Sequence, residues 1–463
     1  MKIKLIIIFI LVGHLVFSQI NLTGSESSII LSNFKFKHPM TVTSVEEVAI
    51  VKARIAKGTE PQATAYKALI AAANSQQYFI PNAPLTMQID SGYTNGNLQQ
   101  MRTWLGNESS AAYTSALAFT YSGDTKYASK AIQVMNAWAS KGTTFTGGGR
   151  FLQLGAWFTP MLYAADLLND YDGWNATDKA AFKSWWREQV LVHTHEALYK
   201  YVNNQKDAGM IGVMTAAMVL EDSGLLQECL NEFLSYFKTN ASVTAHPKQW
   251  KIYNDYRGVF LTEEVDRNLG RSGLTYTYLA MTCAVQNMEM ARYAGYNFWS
   301  AKTINGGNFQ GVIEQLFKWS ILGETYPWYA NPDNDKTDQR NSYEIANSNC
   351  KLSNTITQWL STKRPVIGAQ GDEYATLNKG DILNYTITDI AETKTDNIHV
   401  IRQSNGIVNI KSSNDNNVEA IIYNKLGMKL KQLSLSVGDN LITLPINDLY
   451  IVQVENNAFK IIL

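Results

Sequence analysis

Cysteine is scarce: Cys229, Cys283 and Cys350 are the three in 463 residues. Far apart and odd in number, they make neither a disulfide framework nor a metal-ligand cluster. Net charge is missing too, since 40 Lys+Arg balance 40 Asp+Glu. That argues against nucleic acid or a membrane surface as the main partner. No Gly-rich loop follows a strand to cradle a phosphate, so no nucleotide is implied. No His/Cys/Asp set has ligand spacing, so no metal or other cofactor is expected. The run Asp333-Asn334-Asp335 admits a structural calcium, but acidic loops are usually just solvated. After the first residues, no apolar run approaches the ~20 residues that a membrane-spanning helix needs.

The first residues have a different character. Lys2 and Lys4 precede the apolar run Leu5 to Val12, and Val16-Phe17-Ser18 leads into Gln19. A basic start, a short apolar core and a small residue before the cut describe a signal peptide over residues 1–18. Export through the periplasm, to a secreted or cell-surface location, is expected. Aromatic residues are plentiful, with 11 Trp, 24 Tyr and 17 Phe. Most will be core, and in an exported protein some suit stacking on sugar rings.

From residue 19 to about 365 the chain reads as successive amphipathic helices. Examples are 61–73, 111–121, 127–138, 152–168, 179–192, 209–219, 225–237 and 274–294. Tyr127, Ala131, Val134, Met135 and Trp138 show the three-and-four spacing of a buried helix face. Short turns such as Ser122-Gly123-Asp124 imply antiparallel neighbours. An α/α toroid, with loops gathered around a cleft at one end, is the expected architecture. Residues 366–392 read as a linker or strand-containing connection. Residues 393–463 read as a small all-β sandwich, with short β-branched segments separated by Gly, Asn and Asp.

This tail resembles the C-terminal sorting domain of type IX secretion cargo. The likeness lies in Ile422-Tyr423-Asn424-Lys425-Leu426-Gly427-Met428, Asn440 to Leu444 and Leu449 to Val454. The resemblance implies outer-membrane secretion machinery as a partner. A sugar-binding β-module is the alternative.

Two polar segments interrupt the helical region. The first is Tyr201-Val202-Asn203-Asn204-Gln205. The second is Glu263-Glu264-Val265-Asp266-Arg267, followed by Arg271 and Leu274-Thr275-Tyr276-Thr277-Tyr278. Amides, guanidinium groups and a phenol suit removal of a proton beside a carboxylate and expulsion of a sugar oxygen. Each has a plainer reading. Asn203 and Asn204 also suit a helix cap, Arg267 an ion pair with Glu263 or Glu264, and the tyrosines a core position.

Over roughly residues 60–350 the chain resembles the alginate lyase family. Ala112 to Ala118, Gly123 to Ala128 and Ala131 to Trp138 look like its paired N-terminal helices. Asn203-Asn204-Gln205 stands where the family has Asn-Asn-His. Glu264 to Arg267 with Leu274-Thr275-Tyr276 resembles Glu-Leu-x-Arg followed by Leu-Ser-Tyr, and Ser342 to Ala346 a late Trp-Glu-Ile segment. A monomer is expected, and the resemblance implies β-elimination at a uronate and an anionic polysaccharide partner. It gives Tyr276 the acid and base work. Asn204 and Arg267 are the candidates to neutralise the C5 carboxylate, with Gln205 assisting.

The sequence departs from the family at Gln205, because glutamine cannot exchange a proton near neutral pH. His246 is the best replacement histidine, with His193 and His195 weaker. Arg271 could share the carboxylate role, because the interval from Arg267 to Tyr276 is long for the family. Asn203, Glu264 and Tyr278 complete the expected substrate-binding set. Two other functions remain open: a glycoside hydrolase using paired carboxylates from Asp207, Glu263, Glu264 or Asp266, and a non-catalytic surface glycan-binding protein.

Overall fold

Helices begin where the chain supplies a cap. In the computed structural model, which describes residues 20–91, 97–201, 204–237, 252–254, 260–262, 273–303, 306–325, 340–368, 371–382, 398–402, 407–413, 418–424, 429–444, 449–454 and 457–462, Ser44, Asp124, Asn175, Asp222 and Asn308 each accept a backbone N–H of the helix that follows. Gly58, Gly123 and Gly142 end three helices in the left-handed conformation. The expected leader lies outside the described residues.

The chain divides into two units, residues 1–383 and 384–463. The first is mostly helical, with the order α1 (Val45–Lys57), α2 (Gln62–Gln76), α3 (Leu98–Ser122), α4 (Thr125–Lys141), α5 (Arg150–Gln153), α6 (Pro160–Leu167), α7 (Ala176–Trp185), α8 (Val192–Lys200), α9 (Asn204–Val219), α10 (Ser223–Leu234), α11 (Gly273–Tyr293), α12 (Phe309–Ser320), α13 (Arg340–Asn349), α14 (Asn354–Ser361) and α15 (Ala375–Lys379). Short strands accompany them: β1 (Ile20–Asn21), β2 (Thr86–Gln88), β3 (Thr144–Thr146), β4 (Ile252–Asn254), β5 (Phe260–Thr262) and β6 (Tyr296–Asn297), paired β1–β6, β2–β3 and β4–β5. Two π-helical stretches, Leu154–Phe158 and Trp186–Leu191, join α5 to α6 and α7 to α8.

An inner layer of helices runs in one direction. Along α3 and the α5–α6 rod, Ser109 meets Trp157, Tyr113 meets Tyr163 and Phe119 meets Tyr171. Along that rod and α9, Gly155 meets Ala208, and Tyr163 lies by Thr215. Between α9 and α11, Asp207 lies near Cys283, and Thr215 Oγ1 donates to Met290 Sδ at 3.3 Å. Between α11 and α13, Tyr278 meets Tyr343 and Glu289 meets Asn349. Residue numbers rise together at every pair, so these helices are parallel and their first turns lie at one end. The outer helices return: Trp138 late in α4 donates to Glu108 early in α3 at 2.9 Å. This is the expected toroid.

The connection expected over residues 366–392 is corrected in its first half. Residues 371–382 belong to the helical unit. Tyr113 donates to Asp372 at 2.7 Å, Ser110 to Glu373 at 2.8 Å and Tyr121 to Asn378 at 2.8 Å. Lys379 pairs with Glu47 at 2.7 Å, while Arg54 and Gln62 donate to the Gly380 carbonyl. A polar stretch reads as linker, but here Asp372, Glu373, Asn378, Lys379 and the Gly380 carbonyl find partners on α1, α2 or α3.

The second unit contains two sheets. One has the order β10 (Lys429–Leu435), β9 (Val418–Asn424), β12 (Leu449–Val454), β13 (Asn457–Ile462), beside the other, β11 (Gly438–Thr443), β8 (Ile407–Ser412), β7 (Ile398–Arg402). All these pairs are antiparallel. Alternate residues Val408 and Ile410, Val418, Ala420 and Ile422, and Tyr450, Val452 and Val454 form one apolar core with Leu435, Ile442 and Leu444.

Candidate active site

The site is built from first turns. Asn204 opens α9 and is 3 % exposed, Gln205 beside it is half-buried, and Tyr276, the fourth residue of α11, is half-buried. Because α9 and α11 are parallel neighbours, these two segments, about seventy residues apart in the chain, lie at the same end of the unit.

Glycines fix the position of α9. A Cβ at Gly155 would lie 1.8 Å from the Ala208 carbonyl oxygen, and one at Gly209 would lie 2.7 Å from the Ala197 Cβ. α9 is therefore pressed against α8 on one side and the first π-helical stretch on the other. π-Bulges of this kind recur at functional sites.

The rest of the turn is anchored. Lys206 is buried and ion-paired with Glu232. Asp207 is wholly buried and accepts the Tyr236 hydroxyl at 2.9 Å. A carboxylate so enclosed holds a helix in place and does not reach a glycosidic bond, which weakens the paired-carboxylate hydrolase reading.

Tyr278 is corrected. It is 3 % exposed, donates to the Leu316 carbonyl at 3.0 Å and accepts the Tyr343 hydroxyl at 2.9 Å. Burial pushes its phenol up to about 12. Two residues beyond Tyr276, it ties α11 to α12 and α13. Asn203, His246, Glu264, Arg267 and Arg271 lie outside the described residues.

A cluster missed by sequence reasoning adjoins α9. Arg150 opens α5 and donates from Nε to His193 Nδ1 at 3.1 Å and from Nη1 to the Gly147 carbonyl at 2.6 Å. Its guanidinium lies 4.0 Å from the Phe151 ring centroid, and the Lys200 ammonium lies 4.2 Å from the same centroid. The Tyr201 ring packs edge-on against Phe151 at 5.7 Å. Burial, aided by the Arg150 charge, holds His193 below its usual pKa. The signal in the sequence was Gly147-Gly148-Gly149 before Arg150. Cβ atoms there would lie 2.2, 2.8 and 2.5 Å from Ile89, Ser91 and Asp90, so only glycine allows the approach.

His195 lies elsewhere, bonded to Glu228 at 2.9 Å and packed on Tyr199. Among the described residues, no group of three His, Cys, Asp or Glu could hold a metal ion.

Residues 56–326 match the family model for alginate lyase. The chain belongs to the alginate lyase family. It is a polysaccharide lyase. Alginate lyase A1-III from Sphingomonas species A1 shares 13 % identity over 75 % of this chain and 97 % of its own, with a TM-score of 0.59. An alginate lyase from Bacteroides ovatus shares 17 % over 74 % and 99 %, with a TM-score of 0.55. A tyrosine-to-phenylalanine variant of A1-III, complexed with a tetrasaccharide, matches with 13 % identity, 75 % and 97 % coverage and a TM-score of 0.59. These likenesses concern the fold of the helical unit. No curated protein matches the lyase significantly in sequence.

Proposed function

We propose that this lyase cleaves alginate or a related polyuronate by β-elimination at the end of the toroid where α9 and α11 begin. The reading is supported by Asn204, Gln205 and Tyr276 standing near the starts of two parallel neighbouring helices, in a chain of the alginate lyase family. The C5 proton beside a uronate carboxylate is poorly acidic while that carboxylate stays charged. Asn204, assisted by Gln205, would donate to the carboxylate, and Arg267 would add its charge, so that negative charge developing on it is stabilised.

Tyr276, as phenolate, takes the C5 proton. The C4–O4 bond then breaks, a C4–C5 double bond forms, and the same phenol returns the proton to the departing O4. This exchange restores the tyrosine and needs no other reactant. Arg271 would share the carboxylate-binding role of Arg267. His246 is the proposed partner where the family histidine is replaced by Gln205, with Asn203 and Glu264 supporting the sugar. The tetrasaccharide complex of A1-III supports an anionic oligosaccharide partner. Residues 1–18 and the β-unit support export and sorting by outer-membrane machinery.

The test is absorbance near the ~230–235 nm band of a conjugated unsaturated uronate, the product of this elimination. The mature protein is incubated with mannuronan, guluronan and glucuronan. A rise on one of them, abolished in Tyr276→Phe, is expected. Reducing ends without that absorbance would overturn the elimination, and binding without any product would leave a glycan-binding protein.

A further inference from the structure

Arg150, Lys200, Phe151 and Tyr201 stand next to the proposed catalytic turn without a role in it. The Arg150 guanidinium is held by two neutral acceptors, the His193 ring and the Gly147 carbonyl. Among the described residues it has no carboxylate partner. Lys200 is drawn onto the same phenylalanine ring, although two cations on one ring repel each other. Glu196, 3.1 Å from Lys200, is the carboxylate that answers them, and with His193 neutral the cluster keeps one positive charge in excess. The pair with Glu196 is about half exposed, so it neutralises little. Phe151 itself is 2 % exposed and Tyr201 is half-buried. The rings are thus a fixed floor under two charges.

The position matters as much as the charge. α5 packs on α8 and α9, and Tyr201 lies three residues before Asn204. Arg150 therefore flanks the start of α9 at the end where the inner helices begin. A planar guanidinium with an unspent edge, backed by an aromatic floor, suits a carboxylate-bearing sugar ring.

We infer that Arg150 and Lys200, over Phe151 and beside Tyr201, form a subsite for the carboxylate of a uronate unit neighbouring the one that is cleaved. This rests on the polyuronate reading above and deepens it. His193 is a positioning residue: its neutral ring takes the Arg150 Nε–H and leaves the charge for the substrate.

The experiment measures binding separately from turnover. Calorimetric affinities of the full mature chain, in a Tyr276→Phe background that preserves the ligand, are taken for saturated tetrasaccharides and disaccharides of mannuronate, guluronate and glucuronate. Arg150→Ala should weaken the preferred tetrasaccharide about tenfold, the worth of one charge-assisted hydrogen bond, and affect the disaccharide less. Lys200→Ala should act in the same direction. Arg150→Lys, which keeps the charge but loses the fork, should fall between. Thermal melts report folding, and should Arg150→Ala not fold, the Lys variants carry the comparison.

Unchanged affinity at both lengths in the Arg150 and Lys200 variants overturns the subsite. So does an equal loss at both lengths, which would place Arg150 on the reacting sugar, and so does an absence of binding by any of the six probes. If binding depends on Arg150 while Tyr276 intact yields no unsaturated product, the subsite stands and the elimination mechanism falls.

Discussion

Glu373 illustrates how a single carboxyl in this fold responds to pH. Burial raises it from an ordinary 4.5 to about 7, the neighbouring Asp372 adding to the shift, while Ser110 donates to it at 2.8 Å. The folded state thus keeps a proton that the unfolded chain releases. Its contribution is whole below about 4.5 and is lost as pH rises through about 7. Glu373→Gln removes that titration. It should leave melting at pH 5 nearly unchanged and raise stability at pH 8 by on the order of 2 kcal/mol, read by calorimetry. Glu47 is the opposite case. Burial opposes its charge, yet Arg292 and Lys379 outweigh burial and hold its carboxyl well below the usual range. Lys379→Met takes from Glu47 and Glu289 one of the two cations they share, and should cost about 3 kcal/mol of stability in denaturant unfolding.

Among elements, the contact between the first π-helical stretch and α9 fixes where the first turns of α9 lie. Gly155→Ala would drive a methyl group into the Ala208 carbonyl. It should lower stability by about 1–3 kcal/mol, as overpacking does. It should also depress turnover more than substrate affinity, because Asn204 moves with the helix; steady-state kinetics on the preferred polyuronate check this. Most helices were legible from the three-and-four spacing, as in α4, where Tyr127, Ala131, Val134, Met135 and Trp138 are all buried. Asn204 and Tyr276 stood out as candidates because polar residues are conspicuous at the start of apolar helices. Tyr278 was misread because a buried phenol with two partners carries the same letter as an exposed one. The cluster at Arg150 was illegible because its members come from α5 and α8, and only packing brings them to one ring.

At the scale of the molecule, the boundary of the helical unit is itself testable. A chain ending at residue 383 should melt cooperatively and keep the lyase activity. One ending at residue 365 should not, since it lacks Asp372, Asn378, Lys379 and the Gly380 carbonyl, which bind α1, α2 and α3. Circular dichroism melts and product absorbance of the two truncations decide it. The same joints set an order of events during synthesis. Arg54 waits for the carbonyl of Gly380, 326 positions later, so the ring cannot shut until nearly the whole helical unit has left the ribosome. Contacts so distant in sequence form slowly. Until they form, α1 and α2 pack chiefly on each other and on α3, and the helical unit stays an open arc that a protease can enter.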